Sequence, residues 1–233
     1  MLVKTLCLTG PAGHPMSDAL AALGAKARRD VPGLQLVQVD EVVRQIPTDY
    51  LAGDKPPGLM GEASKITASM DFHFADAKAA QAAQASPAWA SLMKDVAAIA
   101  TPLFSLDSEP NIAVALRGTS VDGGFRRWLL LTRRAETVEG FREAWFGRHA
   151  GFVRHLPLLE GYVQNLVKAR YDAAGKPLAY DALPVDGIAE VCYASEDDMN
   201  TSYASKEREP LKDDGVSLNR HVVTVLVQGR VVR

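Results

Sequence analysis

Bulky residues recur at intervals of three and four through Phe141, Trp145, His149, Phe152, Val153 and Leu156, in the stretch FREAWFGRHAGFVRHLP. That spacing lines one face of a helix, with Arg142, Glu143, Arg148 and Arg154 mostly on the other. The pattern predicts a helix from Thr137 or Val138 to Leu156, ended by Pro157, and the alternation opened by Gly161-Tyr162 predicts a strand over 162–171. The rest of the chain divides the same way. Residues 1–9 read as a strand closed by Gly10-Pro11, Ser17 caps a helix over 18–29, and 34–43 alternates as a second strand. A Pro- and Gly-rich loop over 46–62 follows, placed either over a pocket mouth or at the surface. The third strand, 66–74, sets Met70, Phe72 and Phe74 on one face and Asp71 and His73 on the other. An Ala-rich helix over 76–100, broken near Ser86-Pro87, leads to a fourth strand at 111–116.

The turn-rich junction GTSVDGG at 118–124 then restarts the order. A strand at 127–133 precedes the helix already described and the strand 162–171. A polar loop over 172–184, a strand at 186–193, a helix over 196–206 capped by Ser195 and a last strand at 221–227 complete it. Both halves read β-α-β-β-α-β, and MDFHFADAKAA near residue 70 echoes AEVCYASEDDM near 189. The expected fold class is α+β: two ferredoxin-like repeats, 1–120 and 125–233, whose antiparallel sheets pack into an α+β barrel. Each such sheet has one face bare of helices, and two bare faces bury each other within one chain. An oligomer, a homodimer included, would then form on outer surfaces.

Composition narrows the function. The chain of 233 residues is 47% hydrophobic and 23% charged, with formal charge -2. It has no basic excess for nucleic acid, no apolar run of roughly 18 residues to span a bilayer, and no signal-peptide pattern at its start. Cys7 and Cys192, the two cysteines, fall in predicted strands and read as free buried thiols, which points to the cytoplasm. Neither HxxxH, HExxH nor CxxC occurs, so no metal site is expected. The absence of GxGxxG and P-loop patterns argues against a bound nucleotide.

From Arg127 onward the chain resembles an EthD domain of the dimeric α+β barrel superfamily. The features are a strand bearing Arg133, then Phe141, Trp145 and His149 before LP, then GYVQN with Tyr162 and Asn165, then DGIAEVCY and a helix from Ser195-Glu196. The first half has Ala22, Ala25 and Ala27 where aromatics would stand and reads as a degenerate copy. The resemblance implies a barrel of two sheets and a small-molecule cavity between sheet and helices. The wider superfamily includes monooxygenases without metal or flavin, muconolactone-type isomerases, polyketide cyclases, decarboxylases, dehydratases and haem-degrading enzymes. EthD domains are linked to degradation of an ether by an oxygenase system, so the fold alone does not select a reaction.

A lone His on a core-facing stripe is more often a hydrogen-bonded core residue, yet His149 leads the candidates, because an imidazole in a semi-apolar pocket serves as acid or base near neutrality. Tyr162 and Asn165 are placed to hydrogen-bond a carbonyl or phenolate, and Trp145 to form an aromatic wall. Glu190, a carboxylate in the apolar run IAEVCY, suits a partner for the imidazole; the alternative is an ion pair with Arg127 or Arg133. Asp186, Arg133 and His73 complete the expected set, with His149, Tyr162 and Glu190 as the catalytic members. Trp145 reads first as core, Tyr162 and Asn165 equally as turn and edge residues, and Asp186 as a strand start. The expectation is cofactor-independent acid/base chemistry on a small lipophilic or aromatic metabolite: isomerisation, cyclisation or decarboxylation. A non-catalytic binding or accessory protein is one alternative, and a cofactorless or haem-dependent oxygenase another.

Overall fold

The computed structural model describes residues 1–11, 14–46 and 56–232. In chain order they form β1 (Leu2–Thr9), α1 (His14–Asp30), β2 (Leu34–Ile46), β3 (Ala68–Phe74), α2 (Ala77–Gln84), α3 (Pro87–Ala97) and β4 (Thr101–Val114). A short 3-10 turn, Gly118–Asp122, joins these to β5 (Gly123–Arg133), α4 (Val138–Ala144), α5 (Ala150–Val153), β6 (Gly161–Asp172), β7 (Gly187–Tyr193), α6 (Glu196–Tyr203), α7 (Arg208–Leu218) and β8 (Asn219–Val232). The strands close into an antiparallel barrel in the order β1-β3-β2-β8-β5-β7-β6-β4. Within it β4-β1-β3-β2 and β8-β5-β7-β6 repeat one order, the ferredoxin-like one that β-α-β-β-α-β connections generate.

The two sheets face each other, as their bare faces require, and they also join along their edges. β2 pairs with β8, and β4 with β6, so the barrel closes within one chain and leaves no unpaired edge. Strand alternation sorts the side chains into three apolar cores. One lies between the first sheet and α1–α3, around Leu20, Met70, Phe72 and Trp89. A second lies between the second sheet and α4–α7, around Phe141, Trp145, Tyr162 and Tyr193. The third fills the barrel with Phe104, Trp128, Leu130, Ile188 and Val225, and Met60, Ala63 and Ile66 plug one end.

Several elements depart from the sequence pattern. β4 starts at Thr101, ten residues before the predicted strand, because Pro102, Asp107 and Glu109 break its alternation. β8 is longer than predicted at both ends. α7 was not predicted: its buried positions include Arg208, Asp214 and Gly215, which do not read as an apolar stripe. α1 begins at His14, so Ser17 lies inside the helix and does not cap it. Of the loop expected over 46–62, residues 47–55 lie outside the described ones. Its described end enters a 3-10 helix, Gly58–Lys65, whose Met60 and Ala63 close the barrel interior. Cys7 and Cys192 are free and buried. No helix among the described residues is long and apolar enough to cross a membrane.

Candidate functional site

The helix that carries His149 starts where Thr137 accepts a hydrogen bond from the Gly140 N–H at 3.1 Å, an N-cap. It is not one α-helix. Between α4 and α5, Trp145–His149 forms a π-turn, in which the Ala150 N–H reaches back five residues to the Trp145 carbonyl. Such widened turns concentrate at functional sites because they re-aim one side chain. The same carbonyl accepts from Gln164 Nε2 at 2.7 Å, so a β6 side chain fixes the turn to the sheet. Trp145 Nε1 and Gln164 Nε2 both donate to the Tyr162 hydroxyl, at 3.0 and 3.2 Å. The Trp145 indole lies against Gly187, where an added Cβ would stand 2.5 Å from Cη2. Trp145 is therefore a core residue that sets the height of the helix above the sheet.

His149 emerges from this turn into a cleft lined by Leu129, Leu131, Ala189 and Val191 of the sheet, by Val153, and by Tyr162, Tyr203, Arg127, Arg208, Leu211 and Asn219. The cleft encloses about 40 Å³; counting its open mouth, the empty space is about 470 Å³. His149 Nδ1 sits 2.7 Å from Asp214 Oδ2 on α7. Asp214 also holds Arg148 Nε at 2.5 Å. Burial alone would raise the Asp214 carboxyl, but the hydrogen bond and charge of His149, with Arg148, hold it below its usual range. An ionised carboxylate on Nδ1 places the ring proton there and leaves Nε2 as the basic nitrogen. Among the described residues nothing hydrogen-bonds Nε2. The guanidinium groups of Arg127 and Arg208 stand 4.2 and 5.1 Å from the Tyr203 ring centroid. No carboxylate lines the cleft among the described residues, so its wall is cationic.

The sequence pattern did not identify Asp214, Arg127 as a cleft residue, Arg208 or Gln164. Asp214 lies 65 residues from His149, in a helix whose polarity concealed it, and no local spacing pairs the two. Glu190 is not the imidazole's partner. Strand alternation groups it with Ile188 and Cys192 as read, but that face lines the barrel interior, across the sheet from His149. There Glu190 accepts from Asn165 Nδ2 at 2.7 Å and lies 3.4 Å from Arg126 Nη1. Asn165 is therefore also absent from the cleft. Arg126 pairs as well with Asp40, and its guanidinium packs against Gly229, where any Cβ would collide with it. Burial opposes the charge of Arg126, yet Asp40 and Glu190 hold it above its ordinary value.

His73 shares this interior. Burial, then the charge of Arg126, pulls it down to about 4. Neighbouring Asp71 is raised well above its usual range by burial and by the charges of Asp40 and Glu190. Arg133 and Asp186 pair with each other near one end of β5, where Tyr180 donates to Asp186 at 2.8 Å and lies under the Arg133 guanidinium. That cluster closes the barrel's plugged end and does not line the cleft. Of the expected residues, His149 and Tyr162 share the cleft, with Trp145 packed behind them. Among the described residues no group of three or more His, Cys, Asp or Glu is placed to hold a metal.

This architecture defines a dimeric α+β barrel with both halves in one chain. Residues 133–218 match the family model of the EthD domain. Solved structures share the fold over nearly the full length. One is a candidate monooxygenase from Lactobacillus acidophilus NCFM, at 11% identity and TM-score 0.57 over 98% of this chain and 93% of that one. Another is an anthrone oxidase-like protein, at 11% identity and TM-score 0.60 over 99% and 93%. A dye-decolorizing peroxidase from Bacteroides thetaiotaomicron VPI-5482 aligns at 7% identity and TM-score 0.51 over 97% and 92%. No curated protein matches the sequence.

Proposed function

We propose that the second-half cleft is an acid/base site for a small carbonyl compound with an acidic C–H bond. His149, oriented by Asp214, takes or returns the proton at carbon. Arg127 and Arg208 hold the negative charge that develops on the carbonyl oxygen, in the cleft that Tyr162 also lines. Isomerisation, cyclisation and decarboxylation all pass through such an enolate, and fixed donors in a partly dry site stabilise it. The observation that carries the reading is the His149–Asp214 pair in a cleft whose charged wall is made of two arginines. An oxygenase that first deprotonates its substrate would use the same groups, the reading that the names of the structural neighbours favour. Dioxygen consumption separates it from the others.

The test is proton exchange. A panel of β-keto acids, β-diketones and hydroxylated aromatic ketones is incubated with the protein in D₂O, and loss of the C–H signal is followed by NMR. Exchange should fall roughly 10²–10⁴-fold in His149→Gln and fall less in Asp214→Asn, with both variants melting within a few degrees of wild type. Exchange that persists unchanged in His149→Gln would end this assignment.

A further inference from the structure

We infer that the first half carries a second, separate site, which binds a neutral and largely apolar molecule bearing one carbonyl or hydroxyl group. Between the first sheet and α2–α3 lies a cavity of about 380 Å³, within the roughly 300–1,000 Å³ of small-molecule sites. Leu6, Trp89, Met93 and Pro102 give it one apolar side, while Lys4 and Ser105 supply a polar floor and Gln84 and Asp172 a polar rim. Among the described residues, α2 and α3 contribute Gln84, Trp89, Met93 and Ala97 to its lining. The one large side chain, Trp89, is held edge-on to Phe72 at 5.0 Å and cannot fill it.

The floor is built from three neighbouring strands. Lys4 Nζ on β1 donates to Asp107 Oδ1 on β4 at 2.9 Å. Tyr171 on β6 donates its hydroxyl to the other oxygen, Oδ2, at 3.0 Å. Lys4 Nζ also lies 4.0 Å from the Tyr171 ring centroid. An ammonium has three N–H donors, and among the described residues Asp107 is the acceptor that Lys4 hydrogen-bonds. The remaining N–H groups are available to an acceptor in the cavity. Charge then selects the ligand. Asp107 neutralises Lys4, and Asp172 at the rim adds a negative charge, so a carboxylate meets no net attraction there. A carbonyl or hydroxyl oxygen accepts from Lys4 without bringing charge into the site. Burial, which opposes the charged form of Lys4 against the pull of Asp107, works in the same direction.

Calorimetric titration with 2-acetylnaphthalene, 2-ethylnaphthalene and 2-naphthoate tests this. The ketone should bind saturably and about tenfold tighter than the hydrocarbon of the same shape, with the naphthoate weaker than the ketone. Met93→Trp, which fills the cavity from α3, should weaken ketone binding at least tenfold with an unchanged circular-dichroism spectrum. The double variant Lys4→Met/Asp107→Leu removes both charges together and should bring ketone and hydrocarbon to equal affinity. The proposal is overturned by any of three results: no saturable ketone binding, equal binding of all three probes to the wild type, or undiminished ketone binding in folded Met93→Trp.

Discussion

The two halves share one strand order yet fill the space between sheet and helices in opposite ways. Strand register sets them side by side. Lys4 stands opposite Phe72 on β3, and Arg127 stands opposite Val191 on β7. Both are cations on the helix-facing side at one place in the repeat. Across from Lys4 on β4 is Asp107, whereas across from Arg127 on β8 is Leu226. The first half thus neutralises its cation and leaves a roomy cavity between sheet and helices. The second half leaves its cation without a cross-strand carboxylate, adds Arg208 and His149, and packs Trp145 and Phe141 tightly, so chemistry gathers in a narrow cleft. One scaffold yields two unlike pockets, and a single cross-strand partner differs beside the equivalent cations.

Breaking the Lys4–Asp107 pair should give the largest effect. Asp107→Leu copies the second half's arrangement but strands a buried ammonium, and should cost about 3–5 kcal/mol in denaturant melts. Lys4→Met/Asp107→Leu should recover most of that loss, because replacing both members of a buried pair by apolar groups is close to neutral. A full loss that persists in the double variant would show that Asp107 stabilises chiefly through Tyr171.

The barrel interior, which both halves share, sharpens the contrast through pH. His73 is lowered to about 4 in the fold, while an unfolded histidine titrates near 6.5. The unfolded chain therefore binds a proton first as pH falls. The stability that neutral His73 contributes is intact above about pH 6.5 and lost toward pH 4, amounting to about 3 kcal/mol. Asp71, raised in the fold, runs the other way, since the stability it contributes is lost as pH rises through and above its ordinary value. The wild-type profile sums the two, so the informative quantity is its difference from His73→Gln, measured by urea melts from pH 4 to 7. That difference should change by about 3 kcal/mol, with His73→Gln gaining on wild type as pH falls. A flat difference would place His73 in contact with water.

A smaller effect is expected at Gly187. Gly187→Ala pushes a Cβ into the Trp145 ring and should cost about 1–3 kcal/mol. Because Trp145 sets the position of the π-turn, the variant should also slow proton exchange by the cleft, while a variant that melts normally and exchanges normally would separate the turn from the site.

Much of this fold could be read from the chain because its strands alternate cleanly. The β-α-β-β-α-β order, the junction at 118–124, and the facing of Phe141, Trp145 and His149 toward the sheet all follow from periodicity. What periodicity does not supply is which of a strand's two faces becomes the barrel interior. Alternation groups Glu190 and His73 with the right strand neighbours, yet their face is the interior one, and Asn165, three residues from Tyr162 on one strand, takes the face opposite to it. Ala22, Ala25 and Ala27, on which the first half reads as a degenerate copy, belong to α1, whereas its cavity lies against α2 and α3. Asp214 could not be read at all, since an acidic residue in a polar helix acquires its role only when the fold brings it to His149.

The most direct test of the central claim is chemical rescue of His149→Ala, using whichever panel compound the wild type exchanges fastest in D₂O. Removing the imidazole should lower the exchange rate by roughly 10²–10⁴-fold. Imidazole added to the buffer should restore part of it in proportion to its concentration, and Asp214→Asn in the same background should weaken that restoration. Exchange in His149→Ala at the wild-type rate, indifferent to imidazole, would contradict the assignment of proton transfer to this cleft.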